Sequence, residues 1–152
     1  FDLMQQVNAR GSFLCAQACL PHLLEAANPH ILTLAPPPTL DPKWWAPHTG
    51  YTLAKMGMSF VTLGLAAEFG PRGVAVNALW PRTLIATEAL NMIPRVQAGN
   101  GRRPEIMADA AHAVLTRQLA HLVVDLAAAQ HRRQQHGEAQ VDPAGPQVAC
   151  AR

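Results

Sequence analysis

Apolar residues recur at helical spacing in three stretches of the chain. The first runs from about residue 2 to residue 27, and Gly11 and Pro21 within it predict a bent or two-part helix. The second covers Thr49–Phe69 and stops at a Gly-Pro pair, which is a common helix end. The third begins at Pro104, a residue suited to a first helical turn, and extends to about Gln130. On the second helix, the residues that the spacing places toward a core are Leu53, Met56, Phe60, Leu63 and Leu65.

Two short, uninterrupted apolar runs predict buried parallel strands. These runs are His30–Ala35 and Val74–Leu79, and a short helix over residues 85–92 is expected after the second. Because helices and strands alternate, the predicted fold class is α/β, with a Rossmann-type doubly wound parallel sheet. Two strands and one crossover helix do not make a stable sheet alone. We therefore expect a partial fold, whose N-terminal strands are missing from this chain or supplied by a partner.

The two ends of the chain carry separate signals. The sequence opens on Phe1 inside a periodic segment, without an initiator methionine or a signal-peptide pattern, which indicates a piece of a longer protein. From residue 131 the periodicity is lost, and Gln, His, Arg, Pro and Ala dominate. We expect one domain over residues 1–130 and a disordered or frayed tail over residues 131–152.

Composition excludes several classes of partner. Hydrophobic residues make up 49% of the chain, charged residues make up 14%, and the net charge is only +2. This balance is too weak to predict nucleic acid or an acidic membrane as a partner. No apolar run reaches the roughly 18 residues of a membrane span. Three cysteines without a spacing pattern do not form a disulfide framework. These features predict an intracellular protein in the cytoplasm or, alternatively, in a mitochondrion or peroxisome.

Two of the cysteines share a helix face. Cys15 and Cys19 lie four residues apart, and we interpret them as buried core residues. No histidine or further cysteine completes a ligand set around them, so no metal site is predicted.

The pattern with the clearest chemistry is Tyr51 followed by Lys55 on the same face of a predicted helix. Tyr51 is the only tyrosine, and Lys55 is one of two lysines. An ammonium group beside the phenol stabilises the phenolate and prepares the tyrosine for general acid/base work. By itself the pair is a weak signal, since a surface lysine beside an ordinary half-buried tyrosine has the same spacing. The pair lies at the start of a predicted helix, after a strand and a loop. In α/β sheets, ligand sites are found in such positions.

Four blocks, in order, make the chain resemble the short-chain dehydrogenase/reductase family over roughly residues 1–117. The first is a helix that carries Asn8, and the second is the strand over residues 31–34. The third is Tyr51–Ser59, and the fourth is Gly73–Pro81. Within the family, the features that resemble the hydroxysteroid dehydrogenase-like branch are the pair Pro36-Pro37, the turn at residues 80–83 and the segment at residues 106–111.

The resemblance implies hydride transfer between an alcohol and a carbonyl, with NAD or NADP as cofactor and a small-molecule carbonyl or alcohol as substrate. Tyr51 would exchange the hydroxyl proton, while Lys55 would support it and hydrogen-bond the nicotinamide ribose. Asn8 would hold the water that links the lysine to solvent. Ile85, after the turn at Pro81, would lie beside the nicotinamide carboxamide. Family members also pair subunits through two helices, so the resemblance implies a homo-oligomer.

The chain departs from the family pattern at several positions. A family member normally carries a serine in the loop before the tyrosine, where this chain has Pro38; Thr39 is the nearest hydroxyl and a candidate substitute. The usual Pro-Gly turn has arginine after Pro81. No glycine-rich strand–turn–helix motif, the element that cradles a pyrophosphate, occurs in the 152 residues.

Trp44 and Trp45, in the loop before Tyr51, have two open interpretations. They either line a substrate cleft or pack under the loop.

Two hypotheses about function follow. In the first, the chain is the C-terminal part of an NAD(P)-dependent oxidoreductase, and it is inactive in isolation because the phosphate cradle is absent. In the second, it is a non-catalytic protein of the same ancestry, a dimerisation or scaffold module that lacks the cofactor cradle. The sequence leaves open the substrate and the choice between NAD and NADP.

Overall fold

The structure, a computed structural model, describes residues 1–46, 48–92, 101–117 and 126–129. Its elements in chain order are α1 (Asp2–Gln5), a π-helical turn (Gln6–Arg10), α2 (Gly11–Leu23), β1 (His30–Thr33), a 3-10 turn (Pro42–Trp44), α3 (Thr49–Phe69), a 3-10 turn (Gly70–Arg72), β2 (Ala75–Pro81), a 3-10 helix (Glu88–Met92), α4 (Glu105–Leu115) and β3 (Leu126–Ala129). The alternation of helices and parallel strands confirms the predicted α/β class.

The first helical stretch is divided, as predicted, but the interruption is a π-helical turn rather than a break at a glycine or proline. The Gly11 amide donates to the Gln6 carbonyl, which is five residues earlier. Pro21 lies within α2 and does not end it. The helix ends at Leu23 instead of at about residue 27, because the Glu25 and Ala26 amides donate to carbonyls three residues earlier rather than four.

The sheet contains three parallel strands in the order β1-β2-β3. His30 pairs with Ala75 at the start of β1, and Thr33 pairs with Ala78 at its end. Thus β1 stops two residues before the predicted Ala35. Residues 126–129, which we expected to lie in a helix running to about residue 130, instead form a third strand with Leu126 opposite Ala78. An Ala-rich segment has high helix propensity, but pairing with a buried strand overrides that preference.

Helix α3 connects β1 to β2 and packs on the sheet. Its observed bounds confirm the prediction, and a 3-10 turn leads to Gly73, whose φ of 84° is the left-handed conformation that glycine adopts without strain. The core cluster that joins α2, α3 and β2 consists of Ala16, Leu20, Leu65, Ala66, Phe69, Val74 and Val76. Met56 and Leu65 are buried as expected, whereas Leu53 and Phe60 are 43% and 57% exposed.

Helix α4 is tied to the start of β1 by two side chains. The Asn28 Nδ2 donates to the Leu115 carbonyl at 3.3 Å. The His30 Nε2 lies 3.1 Å from the Arg117 carbonyl. These contacts place the end of α4 against the amino end of the sheet, away from the carboxyl ends of the strands.

Three further predictions have different outcomes. The helix expected over residues 85–92 is a 3-10 helix confined to Glu88–Met92. Cys15 and Cys19 are exposed, so their interpretation as core residues is wrong; the core-facing side of α2 is that of Ala16 and Leu20. The tail at residues 131–152 lies outside the described residues. None of the helices in the described part of the chain combines the length and apolar character that a membrane crossing requires.

Candidate active site

Tyr51 lies in the first turn of α3, and its side chain is 49% exposed. The start of the helix is fastened to the preceding loop by two hydroxyls. The Thr49 Oγ1 donates to the Trp45 carbonyl at 2.9 Å, and the Thr52 Oγ1 donates to the Trp44 carbonyl at 2.8 Å. Tyr51 therefore stands on an anchored helix end, with its phenol accessible to a ligand.

Lys55 lies one helical turn after Tyr51 and is half-buried. Its Nζ donates to the Leu34 carbonyl at 3.0 Å and lies 3.6 Å from the Met58 Sδ. Removal of the ammonium from water lowers the pKa of Lys55 below its ordinary value. The lysine is therefore held at the exit of β1 rather than extended into solvent.

Asn8 lies in the π-helical turn and is partly buried. Its Nδ2 donates to the Met4 carbonyl at 3.0 Å, so its side chain is bonded within its own helix. The neighbouring Ala9 is packed closely on α3, since a Cβ added at Gly57 would lie 2.8 Å from the Ala9 Cβ. This contact brings the π-helical turn against the part of α3 that carries Lys55, although no hydrogen bond described here joins Asn8 to it.

Pro81 and Ile85 lie at and after the carboxyl end of β2. Ile85 forms a parallel bridge with Arg102, supported by Ala86 N–H to Arg102 O and Arg102 N–H to Leu84 O, both at 2.7 Å. A Cβ at Gly101 would lie 2.6 Å from the Ala86 backbone nitrogen, so this approach requires glycine. The segment after β2 is thus fixed at a defined position.

Several of the predicted site residues lie on segments that meet the carboxyl edge of the sheet. In a parallel sheet the carboxyl ends of neighbouring strands share one edge, which is where open α/β sheets bind ligands. Lys55 donates to the Leu34 carbonyl just after β1, and Pro81 ends β2, the strand that pairs with β1. Lys55 and Pro81 therefore lie at this edge, and α3 starts after β1 with Tyr51 in its first turn. The π-helical turn that carries Asn8 packs on α3 at Gly57.

The two tryptophans in the loop between β1 and α3 have different environments. The Trp45 Nε1 donates to the Thr39 carbonyl at 3.1 Å, so this ring braces the loop. Trp44 is 59% exposed, and the Lys43 Nζ lies 5.4 Å from its ring centroid. The Thr39 Oγ1 accepts a hydrogen bond from the Asp41 amide at 3.2 Å. Trp44 is thus the ring available to a ligand.

Ser59 is a residue of the site that sequence reasoning missed. It is fully buried, and its Oγ donates to the Pro36 carbonyl at 2.6 Å. Its spacing of four residues from Lys55 places both side chains on one face of α3, and a hydroxyl on that face was the available signal.

Comparison with known proteins identifies the family. A family model described as Enoyl-(Acyl carrier protein) reductase matches residues 1–139. The hydroxysteroid dehydrogenase-like protein 2 of Danio rerio is 53% identical over 115 residues, which are 74% of this chain and 27% of that protein. The Bos taurus protein of the same name is 48% identical over 118 residues, 74% of this chain and 27% of its own length.

Two solved structures share the fold. A Xanthomonas campestris protein assigned as a dehydrogenase is 77% identical, with a TM-score of 0.79 over 83% of this chain and 47% of its own. A short chain dehydrogenase of Mycobacterium thermoresistibile is 42% identical, with a TM-score of 0.72 over 83% of this chain and 45% of its own. The chain spans about a quarter of the length of the curated relatives and about half of the solved ones. The predicted likeness to the hydroxysteroid dehydrogenase-like branch is confirmed. The chain belongs to the short-chain dehydrogenase/reductase family.

Proposed function

We propose that this chain forms part of an NAD- or NADP-dependent oxidoreductase that interconverts an alcohol and a carbonyl compound. The observation that carries the proposal is the placement of Tyr51 and Lys55, one helical turn apart, at the carboxyl edge of the parallel sheet. Accessibility of the phenol and partial burial of the ammonium both suit this role. The family supports oxidoreductase chemistry, and the assignment to particular residues is ours.

The described residues fit the nicotinamide end of such a cofactor. Lys55 offers an ammonium, whose three N–H groups suit ribose hydroxyls, and the segment from Pro81 to Ile85 offers backbone groups at the same edge. A glycine-rich phosphate cradle does not occur in the 152 residues, so the diphosphate needs protein that lies outside this sequence. When bound, the cofactor supplies or accepts the hydride.

The chain's own residues handle the proton. Tyr51 donates a proton to the carbonyl oxygen during reduction and accepts it from the alcohol during oxidation. The positive charge of Lys55 stabilises the phenolate that Tyr51 becomes after donation. Asn8, in the π-helical turn packed on α3, holds a water that relays protons between Lys55 and solvent. Thr39 is the hydroxyl available to hold the substrate oxygen in place of a serine.

Substitution of Tyr51 tests this function. In the full-length protein that carries this chain, Tyr51→Phe should lower the turnover of carbonyl reduction by at least about a hundredfold, the scale of a positioned proton transfer. Quenching of tryptophan fluorescence by NADH or NADPH should be the same in variant and wild type, which shows that the loss is chemical. If the Tyr51→Phe variant turns over carbonyl substrates at the wild-type rate, the proposed function is wrong.

A second candidate function is a non-catalytic dimerisation or scaffold module. The observation that favours it is the exposed apolar face of α2 and α3, which includes Phe13, Leu14, Leu53 and Phe60. A face of this kind suits the homo-oligomer that we propose in either case. Titration of the full-length protein with NADH and NADPH separates the two functions, because a scaffold protein binds neither cofactor and an oxidoreductase binds at least one.

A further inference from the structure

Two backbone carbonyls in the segment after β1 accept hydrogen bonds from side chains on one face of α3. The Leu34 carbonyl accepts from the Lys55 Nζ at 3.0 Å, and the Pro36 carbonyl accepts from the Ser59 Oγ at 2.6 Å. Lys55 and Ser59 are one helical turn apart, so both donors project from the same face of the helix. Ala35 between the two carbonyls is fully buried.

The residues after Ala35 explain why a side-chain donor is needed here. Positions 36, 37 and 38 are all proline, and proline has no backbone N–H. This stretch therefore offers carbonyl acceptors only and has no amide with which to fasten itself to its neighbours. Pro36 is buried, so its carbonyl needs a protein donor, and Ser59 supplies one.

Ser59 also touches the turn that carries the lysine. Its Oγ lies 3.2 Å from the Lys55 carbonyl, and its side chain is fully buried. Within the described residues, the hydrogen bonds of the Ser59 hydroxyl are confined to the Pro36 and Lys55 carbonyls. The Ser59 hydroxyl thus lies between the helical turn that carries Lys55 and the residues after β1. The Leu34 carbonyl in those residues accepts a hydrogen bond from the Lys55 ammonium.

We propose that Ser59 is a positioning residue for Lys55: by holding the Pro36 carbonyl, it fixes the strand exit whose Leu34 carbonyl holds the Lys55 ammonium at the active-site edge. The catalytic importance of Lys55 rests on the proposed function, whereas the hydrogen bonds of Lys55 and Ser59 are present in this chain whatever its function. Without Ser59, the triproline segment loses its fastening to α3. The Leu34 carbonyl then moves, and the ammonium turns toward solvent.

The chain contains two lysines, so the position of Lys55 can be followed directly. Lysine labelled with ¹³C at Cε gives two side-chain NMR signals, and Lys43→Arg assigns them. In Ser59→Ala, the titration midpoint of Lys55 should move upward, toward that of an ordinary lysine, because burial no longer lowers its pKa. The Cε chemical shift of Lys55 near neutral pH should also change, while that of Lys43 should not.

Thr62→Val is the matched control. Thr62 is also buried on α3, but its Oγ1 donates to the Met58 carbonyl of its own helix at 2.9 Å. Loss of that hydroxyl should leave the Lys55 signal unchanged. Circular dichroism establishes that each variant is folded. If Ser59→Ala does not fold, Ser59→Cys, which keeps a weak donor of similar size, should shift the Lys55 titration in the same direction by a smaller amount.

Two results would overturn the inference. One is a folded Ser59 variant in which the Lys55 midpoint and chemical shift equal those of the wild type. The other is an equal shift in Thr62→Val, which would assign the effect to general packing of α3.

Enzyme kinetics of the full-length protein separate this inference from the proposed function. Ser59→Ala should lower kcat about ten- to a hundredfold, the cost of a displaced catalytic group, with the KM for the carbonyl substrate nearly unchanged. An NMR shift without any oxidoreductase activity in the wild type would uphold the positioning and refute the function. Turnover that depends on Tyr51, with an unshifted Lys55 in the Ser59 variant, would uphold the function and refute the positioning.

Discussion

The partial burial of Lys55 has a consequence for stability. Burial lowers the pKa of its ammonium in the folded chain, whereas the unfolded chain keeps the ordinary value of 10.5. Between these two pKa values the unfolded chain binds more protons, so the free energy of unfolding rises with pH through that window. At lower pH the lysine is charged in both states, and its partial desolvation destabilises the fold.

In the Lys55→Met variant, the free energy of unfolding should therefore not rise with pH in this window. Urea unfolding between pH 7 and pH 10.5 measures it, and Lys43→Met is the control, since Lys43 is an exposed lysine paired with Asp41 at 2.7 Å. The control should keep the rise of the wild type. A Lys55→Met profile parallel to that of the wild type would contradict the prediction.

Gly101 is a second single residue with a testable role. Its added Cβ would lie 2.6 Å from the Ala86 nitrogen and 2.9 Å from the Ile85 carbonyl carbon, and backbone atoms cannot yield as a flexible side chain can. Gly101→Ala should therefore separate the bridge between Ile85 and Arg102. Hydrogen exchange of the Ala86 and Arg102 amides should quicken in this variant. In Gly70→Ala, where the added Cβ meets nothing within 4 Å, both amides should exchange as in the wild type.

At the scale of elements, the crossing of α3 with the π-helical turn depends on Gly57. A Cβ there would lie 2.8 Å from the Ala9 Cβ, so Gly57→Ala forces the two helices apart. We predict that this substitution lowers the free energy of unfolding by about 1–3 kcal/mol, the usual cost of overpacking. Denaturant unfolding followed by circular dichroism measures the change.

Gly64 on the same helix supplies the control. A Cβ at Gly64 meets nothing within 4 Å. Gly64→Ala should leave stability unchanged or raise it by up to about 1 kcal/mol, because alanine loses less conformational entropy than glycine in a helix. Equal effects of the two alanine substitutions would mean that the crossing with Ala9 does not constrain α3.

At the scale of the whole molecule, the exposed surface predicts self-association. The stretches at residues 11–24 and 56–67 contain no Asp, Glu, Lys or Arg, and Phe13, Leu14 and Phe60 within them are exposed. In addition, β1 pairs only with β2 among the described strands, which leaves its other edge open. An uncharged apolar face of this kind favours association with a second copy.

We predict that the chain at micromolar concentration is a dimer or larger species rather than a monomer. Sedimentation velocity measures this. Phe60→Glu should shift the population toward monomer, whereas Leu40→Glu, in a loop position that is 89% exposed, should not. A sharp monomer boundary for the wild type, together with a cooperative melt, would contradict the prediction.

Much of the fold follows from local patterns. Helix α3 was predicted with its observed ends because a long apolar periodicity and a Gly-Pro stop are properties of consecutive residues. The third strand was missed, since four residues of leucine and alanine favour a helix. Its conformation is decided by a neighbouring strand far away in sequence. The exposure of Cys15 and Phe60 was missed for a related reason, because periodicity shows which residues share a face but not what covers that face.

That Tyr51 and Lys55 share a helix face follows from their positions in the chain, since a spacing of four residues sets that relation whatever surrounds the helix. The hydrogen bond that holds the lysine, in contrast, depends on how distant segments pack against each other. Its Leu34 carbonyl is 21 residues away in sequence, and the bond from Ser59 to Pro36 spans 23. No short-range pattern encodes such a contact, because it depends on where the exit of β1 meets the face of α3 when both pack on one sheet.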